Sequence, residues 1–379
     1  MAAATYREQV PELATTDKEL TREVEMRLRL VVFAAVIAML VAACGGQPAS
    51  TATPTTAATQ AQATASGPAD KPMACCKKVV AAYSNISADD WVMWYAFEKG
   101  IFKERGLDVD MQSISGGAQT SAALLANQIQ IGQFGGSEAL SGVAGGADLV
   151  MVGNMAPVYP YLLYAQKAIK TLNDLKGKKV GVSNKGGSSD IATRAALKAN
   201  GIDPDKDVQI VALGSHTLRT QGLLNGSVDA GVDDPPEDQE LVKAGLNVIL
   251  DLASQKLPAA NTGIIVQRKF WTENKDVVQA YVDATVIARS RMAKDKDGSV
   301  AVLKKYFKIT EDESPTHAYN FFIGGSSPVT PVYPFPAVEQ FKDAVAILGP
   351  DNDKIKSVDI SKMLDTSFVK SAQDRKLGG

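Results

Sequence analysis

From Lys78 onward, short apolar runs alternate with amphipathic stretches, and glycine-rich turns mark nearly every change between them. Lys78–Tyr83 is a β-branched and apolar run that ends in Ser84-Asn85-Ile86-Ser87. Ser87 followed by Asp90 matches a capping box and predicts a helix start. Met93, Ala96, Phe97 and Ile101 give that helix a buried stripe, and Gly100 and Gly106 end it. Leu107–Ser113 alternates as a strand, and Gly116-Gly117 opens a helix through Ala126. Ile129–Phe134 is the next strand, followed by Gly135-Gly136-Ser137 and a helix to Val143, and Leu149–Gly153 closes the series.

The pattern restarts after Asp174-Leu175-Lys176-Gly177. Strands are expected at Lys179–Ser183, Val208–Leu213, Val228–Val232, Leu246–Leu252 and Thr262–Arg268, with helices at Asp190–Asn200 and Leu218–Leu224 and a mostly helical remainder. Strands separated by helices predict an α/β architecture with mainly parallel, doubly wound sheets. Two such series read as two similar lobes, the second inserted in the first: residues 77–157 and 262–379 against 158–261. The chain then crosses twice, near Met155–Tyr164 and Ala259–Val266, which makes a hinge and a cleft.

The segment before Lys77 has another character. Arg27 and Arg29 precede an apolar run from Leu30 to Ala43, shorter than the roughly 20 residues a bilayer span needs. Basic residues, an apolar run and small residues before Cys44 read as an export signal over residues 1–43, with Met26 as the true start. Leu40-Val41-Ala42-Ala43-Cys44 resembles a bacterial lipobox, which implies that Cys44 carries lipid. Gly45–Pro72 lacks aromatic and nearly all aliphatic residues, so it is expected to be a flexible tether. Its reach is about 30 Å. Residues 44–76 are thus anchor and leash. Of 3 cysteines, Cys75 and Cys76 remain after Cys44, too few for a disulfide framework; they are expected as accessible thiols, with a vicinal disulfide or a contact with another chain as the alternatives.

A formal net charge of −2 gives no footprint for nucleic acid. In open α/β sheets, ligands sit at the carboxyl ends of strands, where helix N-termini offer free N–H groups. The candidate ligand-binding residues are therefore Ser84 and Asn85, Gly116 and Gly117, Gly136 and Ser137, and Asn154 in the first lobe. In the second they are Gly187, Ser188, Ser189, His216, Asp233 and Asp234. Trp91 is a candidate stacking platform for a flat ligand, with a core role as the favoured reading of the two. Arg194 and Arg219, one or two turns into their helices, are expected in solvent or interlobe salt bridges rather than as anion clamps. Asp89, Asp90 and Asp190 are expected to complement helix dipoles. Acids at Asp233 and Asp234 disfavour a bare dianion and favour a ligand that carries an amine or ring N–H groups.

Three stretches carry a family resemblance: Trp94–Met111 (WYAFEKGIFKERGLDVDM), Thr171–Ser183 (TLNDLKGKKVGVS) and Leu224–Val232 (LNGSVDAGV). Together they resemble the substrate-binding proteins of bacterial ABC importers for sulfonates, taurine, nitrate and thiamine-precursor pyrimidines. The resemblance implies the type II periplasmic-binding-protein fold and a ligand between the lobes. It also implies delivery to an ABC permease and, through it, to ATPase subunits. The expected protein is a lipid-anchored monomer outside the cytoplasm or in the periplasm, without cofactor, metal or catalysis. The rival is a pyrimidine-precursor synthase-like enzyme of the same fold. Such enzymes carry a cysteine-rich iron site, which Cys75-Cys76 alone does not supply.

Overall fold

A computed structural model describes residues 75–324, 327 and 329–379. Cys44, the export signal and the tether lie outside the described residues. Among the described residues, ten strands are arranged in two five-stranded sheets. They are β1 (Lys77–Tyr83), β2 (Leu107–Ser113), β3 (Ile131–Phe134), β4 (Leu149–Val158), β5 (Leu162–Ala165), β6 (Lys179–Val182), β7 (Gln209–Ala212), β8 (Ala230–Asp233), β9 (Asn247–Asp251) and β10 (Pro258–Gln267). The helices among the strands are α1 (Trp91–Glu98), α2 (Ile101–Glu104), α3 (Gly117–Leu125), α4 (Gly136–Ala144), α5 (Ser188–Ala199), α6 (His216–Leu224) and α7 (Asp238–Lys243). The C-terminal part adds α8 (Arg268–Glu273), α9 (Lys275–Met292), α10 (Lys296–Phe307), α11 (Glu313–Phe322), α12 (Lys342–Leu348), α13 (Asp353–Lys356) and α14 (Ser367–Asp374).

The first sheet runs β2-β1-β3-β10-β4 and the second β7-β6-β8-β5-β9. Within each, the first three strands are parallel, whereas β10 is antiparallel to β3 and β4, and β5 is antiparallel to β8 and β9. The two reversed strands are the ones that follow a passage of the chain from one sheet to the other. A chain that leaves a sheet at the carboxyl end of its last strand reaches the neighbouring sheet at the facing ends, so it must run backwards there. The sheets are therefore mixed. β5 lies in a stretch that the sequence reading left as a crossover.

Alternation of burial explains the strands and helices alike. Val79, Ala81 and Tyr83 of β1 face a core built with Trp91, Met93 and Trp94 of α1 and with Tyr281 and Val282 of α9. A second apolar cluster joins Leu140 and Ala144 of α4 through Phe341 and Ala344 to Leu163, Val180, Ile191 and Leu197. It includes Tyr159, Ala259 and Ala260, so the two halves share a packed side along both crossovers.

Two local expectations change. Ser87 precedes a 3-10 turn, Ala88–Asp90, without a side-chain capping bond. Its hydroxyl reaches the other half instead. Cys75 and Cys76 are bonded to each other rather than standing as two thiols.

Candidate functional site

A small cavity of about 50 Å³ lies between the two halves, tighter than the usual small-molecule site. Its first wall is made after β1 by Ser84, Asn85, Ser87 and Asp89, at the start of α3 by Gly117, and after β3 by Gly135 and Glu138. Asn261 and Thr262 join them from β10. The second wall is made by Ser183, Asn184, Gly187, Ser188 and Ser189 after β6, by His216 and Arg219 of α6, and by Asp234 after β8. Tyr161 lies between them on the first crossover. Strand carboxyl ends thus supply both walls, and reversed β10 supplies residues from its amino-terminal half.

The walls touch through polar groups. The Ser87 hydroxyl donates to Asp234 Oδ2 at 3.1 Å, and Ser188 Oγ donates to the Asn261 carbonyl at 3.1 Å. Gly135 permits this approach, because a Cβ there would collide with both the Glu138 carboxylate and the Ser188 hydroxyl. Burial pushes the Glu138 carboxyl up, partly offset by hydrogen bonds that include the Ser188 backbone. That bond supplies α5 with an acceptor at its N-terminus. Asp89 Oδ2 accepts from Asn261 Nδ2 at 3.0 Å and from the Thr262 hydroxyl.

Charge gathers on the second wall. His216 Nε2 is 2.7 Å from Asp233 Oδ1, 3.0 Å from Glu237 Oε2 and 3.6 Å from Asp234 Oδ1. Burial alone would lower the imidazole, but Glu237, Asp234 and Asp233 outweigh it and hold it well above its ordinary value. Burial alone would raise Asp233, yet the His216 and Arg219 charges and bonds from His216 and Thr220 keep it below the usual range. Asp234 is pushed well up by burial and by the neighbouring Asp233 and Asp89 charges, against the pull of His216. Arg219 is 2% exposed. Its Nη1 donates to Ser183 Oγ at 2.9 Å, and its guanidinium lies 5.7 Å from the Tyr161 ring centre. Nη2 is 3.7 Å from Asp233 and 3.8 Å from Asp234, and neither Nε nor Nη2 has a hydrogen-bond partner among the described residues.

The family model described as NMT1/THI5 like matches residues 90–298, more than half of the chain. The protein belongs to the NMT1/THI5-like family. The riboflavin-binding protein RibY of Chloroflexus aurantiacus is 25% identical over 267 residues, covering 69% of this chain and 73% of that one. The periplasmic aliphatic sulphonate-binding protein SsuA of Escherichia coli shares the fold, with a TM-score of 0.64 at 23% identity over 76% of this chain and 92% of its own. So does the periplasmic nitrate-binding protein NrtA of Synechocystis, with a TM-score of 0.66 at 13% identity over 79% and 89%.

In this NMT1/THI5-like protein, eight sequence-selected residues meet at the cavity: Ser84, Asn85, Gly117, Gly187, Ser188, Ser189, His216 and Asp234. Gly116 stands beside it at φ 100°, a left-handed position, with its N–H donating to the Ser84 carbonyl. Five residues lie elsewhere. Trp91 is fully buried, donates its indole N–H to the Ser299 carbonyl and meets Tyr319 edge-on, so it is a core residue. Asn154 is buried away from the cavity and donates its Nδ2 to the Ala259 carbonyl and to Gln340 Oε1. Gly136 packs against Ala260 and Phe341, and Ser137 donates to Glu138. Asp233 stands behind Asp234, held by His216 and Thr220.

Several cavity residues were assigned other roles by the sequence reading or were not singled out. Arg219 is no solvent salt bridge. It sits three residues after His216 in the first turn of α6 and so shares its face, and that spacing was a readable signal. Asp89, expected to serve a helix dipole, lines the cavity. Glu138 sits in the first turn of α4, beside the glycines that drew attention. Asn261 and Thr262 had no signal, because the reversal of β10 is not written locally. Arg194 does pair within its own half, with Asp190 and Asp205, and Tyr159 bonds to Asp343.

Proposed function

We propose that this protein is the extracytoplasmic solute-binding component of an ABC-type importer. It captures a small nitrogen- or sulfur-containing organic nutrient, taurine- or sulfonate-like or aminopyrimidine-like, between its halves. The permease reads the closed form, and ATP is hydrolysed on separate subunits. The observation that carries this reading is the pair of Arg219 nitrogens left without a hydrogen-bond partner in a cavity wall that faces Asp89 and Asn261. Buried polar atoms are nearly always paired, so unpaired ones at a cavity mark where ligand groups belong. The guanidinium edge suits two oxygens of a sulfonate or carboxylate. The Asn261 Oδ1 atom, also without a partner, and the Asp89 carboxylate suit N–H donors. Relatives named for sulphonate and for riboflavin support an anionic or a nitrogen-rich ligand respectively.

Ser84, Asn85, Gly117, Ser188 and Ser189 would complete the polar lining. Ligand that touches both walls favours the closed form. A lipid on Cys44 and the tether that follows would hold a monomer at the outer face of the membrane. Among the described residues, no helix is long and apolar enough to cross it.

A thermal-shift screen of the purified protein against taurine, alkanesulfonates, nitrate, hydroxymethyl-aminopyrimidine and riboflavin tests the reading. At 100 times Kd, a bound ligand adds about 2.7 kcal/mol of stability. A clear rise in Tm without turnover of the compound is the expected result. No shift with any of them, or conversion of one, overturns the proposal.

A further inference from the structure

We propose that His216, Asp233 and Glu237 form a binding site for a divalent transition cation of the zinc class in the second wall, with Asp234 Oδ1 as fourth ligand. One donor atom from each of the first three lies within 4.8 Å of the other two. Tetrahedral zinc with bonds of about 2.0–2.1 Å places its donor atoms roughly 3.3 Å apart. His216 Nε2 stands 2.7, 3.0 and 3.6 Å from the three carboxylate oxygens, so the nitrogen-to-oxygen spacings bracket the tetrahedral value.

The supporting groups are in place. The Thr220 hydroxyl donates to Asp233 Oδ2 at 2.8 Å. The Asp234 N–H donates to Asp233 Oδ1 at 2.9 Å. Such outer bonds fix a carboxylate for coordination. Glu237 immediately precedes α7, Asp233 ends β8 and His216 opens α6, so three separate elements converge.

Asp234 supplies an independent observation. It is 1% exposed, and while Oδ2 accepts from Ser87, Oδ1 has no hydrogen-bond partner. That oxygen is directed at the His216 nitrogen. A buried carboxylate oxygen without a donor is costly, and a cation removes the cost. Imidazole with carboxylates suits zinc better than calcium or magnesium, which prefer oxygen alone.

This inference does not depend on the transport reading, so its test is run without any organic solute. Full-length protein is stripped with a chelator and titrated with zinc by calorimetry, and with cobalt by visible spectroscopy. One equivalent of zinc is expected to bind, cobalt is expected to show tetrahedral bands, and calcium and magnesium are expected not to compete. Glu237→Gln, at the most exposed ligand and therefore the least disturbing to the fold, is expected to weaken zinc by more than about 100-fold, the upper end for an outer partner. His216→Gln is expected to abolish the cobalt bands, and Thr220→Val to weaken zinc by about 10–100-fold. No saturable binding, or unchanged affinity in a Glu237→Gln protein whose circular dichroism is native, overturns the proposal. In that case the cluster is a histidine held by its own carboxylates.

Discussion

The two walls of the cavity are products of the same strand order, yet they are charged differently. In the first wall, Asp89 and Glu138 stand among hydroxyls, amides and glycines, with no cationic side chain. The second carries both cationic groups of the cavity lining, Arg219 and His216, and sets Asp233, Asp234 and Glu237 around them. Strand order therefore sets which turns meet at the cavity, and the side chains on those turns set its charge. On the proposed function, a molecule with one anionic end and one N–H-bearing end would place the anion on Arg219 and the nitrogen toward Asp89 and Asn261.

The comparison breaks most readily at Arg219. Arg219→Gln is expected to cost a ligand with a sulfonate or carboxylate about 2–5 kcal/mol of binding, measured by calorimetry. The same change leaves Asp233 and Asp234 without a nearby guanidinium, so it is also expected to lower Tm. If anionic ligands bind the variant as well as the parent, the two walls do not differ in the way argued here. Asp89→Asn is the opposite test. Asparagine keeps an oxygen for Asn261 and Thr262 but removes the charge. An amine-bearing ligand is expected to lose about 1.5–3 kcal/mol, the contribution of a charged hydrogen bond. A purely anionic ligand is expected to bind no worse.

Much of this was legible in the chain. Period-two and helical patterns located most strands and helices, because burial on one face of an element leaves its mark on successive residues. Direction leaves no such mark, and β5 and β10 were therefore missed as reversed strands, together with Asn261 and Thr262 that β10 carries. Position at a strand end located eight cavity residues, but it does not tell the face of a turn that meets the cavity from the face that meets the core. Trp91 opens a helix and takes the core role that the sequence favoured, whereas Asn154 falls inside β4, which runs on to Val158; each turns inward to a partner far away in sequence. Arg219 was misread by being weighed alone. Taken together with His216 on one helix face, it points at the cavity.

The adjacent pair Asp89 and Asp90 yields the smallest effect and the sharpest contrast within one wall. Asp89 faces the cavity. Asp90 turns into the core, where its Oδ1 accepts from Gln133 Nε2 at 2.8 Å. Burial first, and then the neighbouring Asp89 charge, push the Asp90 carboxyl well above its ordinary value despite the Gln133 bond. Between its unfolded and folded pKa values it holds a proton that the unfolded chain has released. Stability from that group is thus complete below the unfolded carboxyl pKa and is lost as pH rises through the folded one. Asp90→Asn keeps the Gln133 bond and removes the titration. Urea unfolding at pH 5 and pH 8 is expected to show the variant more stable than the parent by about 1 kcal/mol or more at the higher pH, with the difference shrinking at the lower. A parent protein equally stable at both, or a variant weaker at pH 8, would mean that Asp90 stays ionised in the core and that the two neighbours do not differ as their surroundings require.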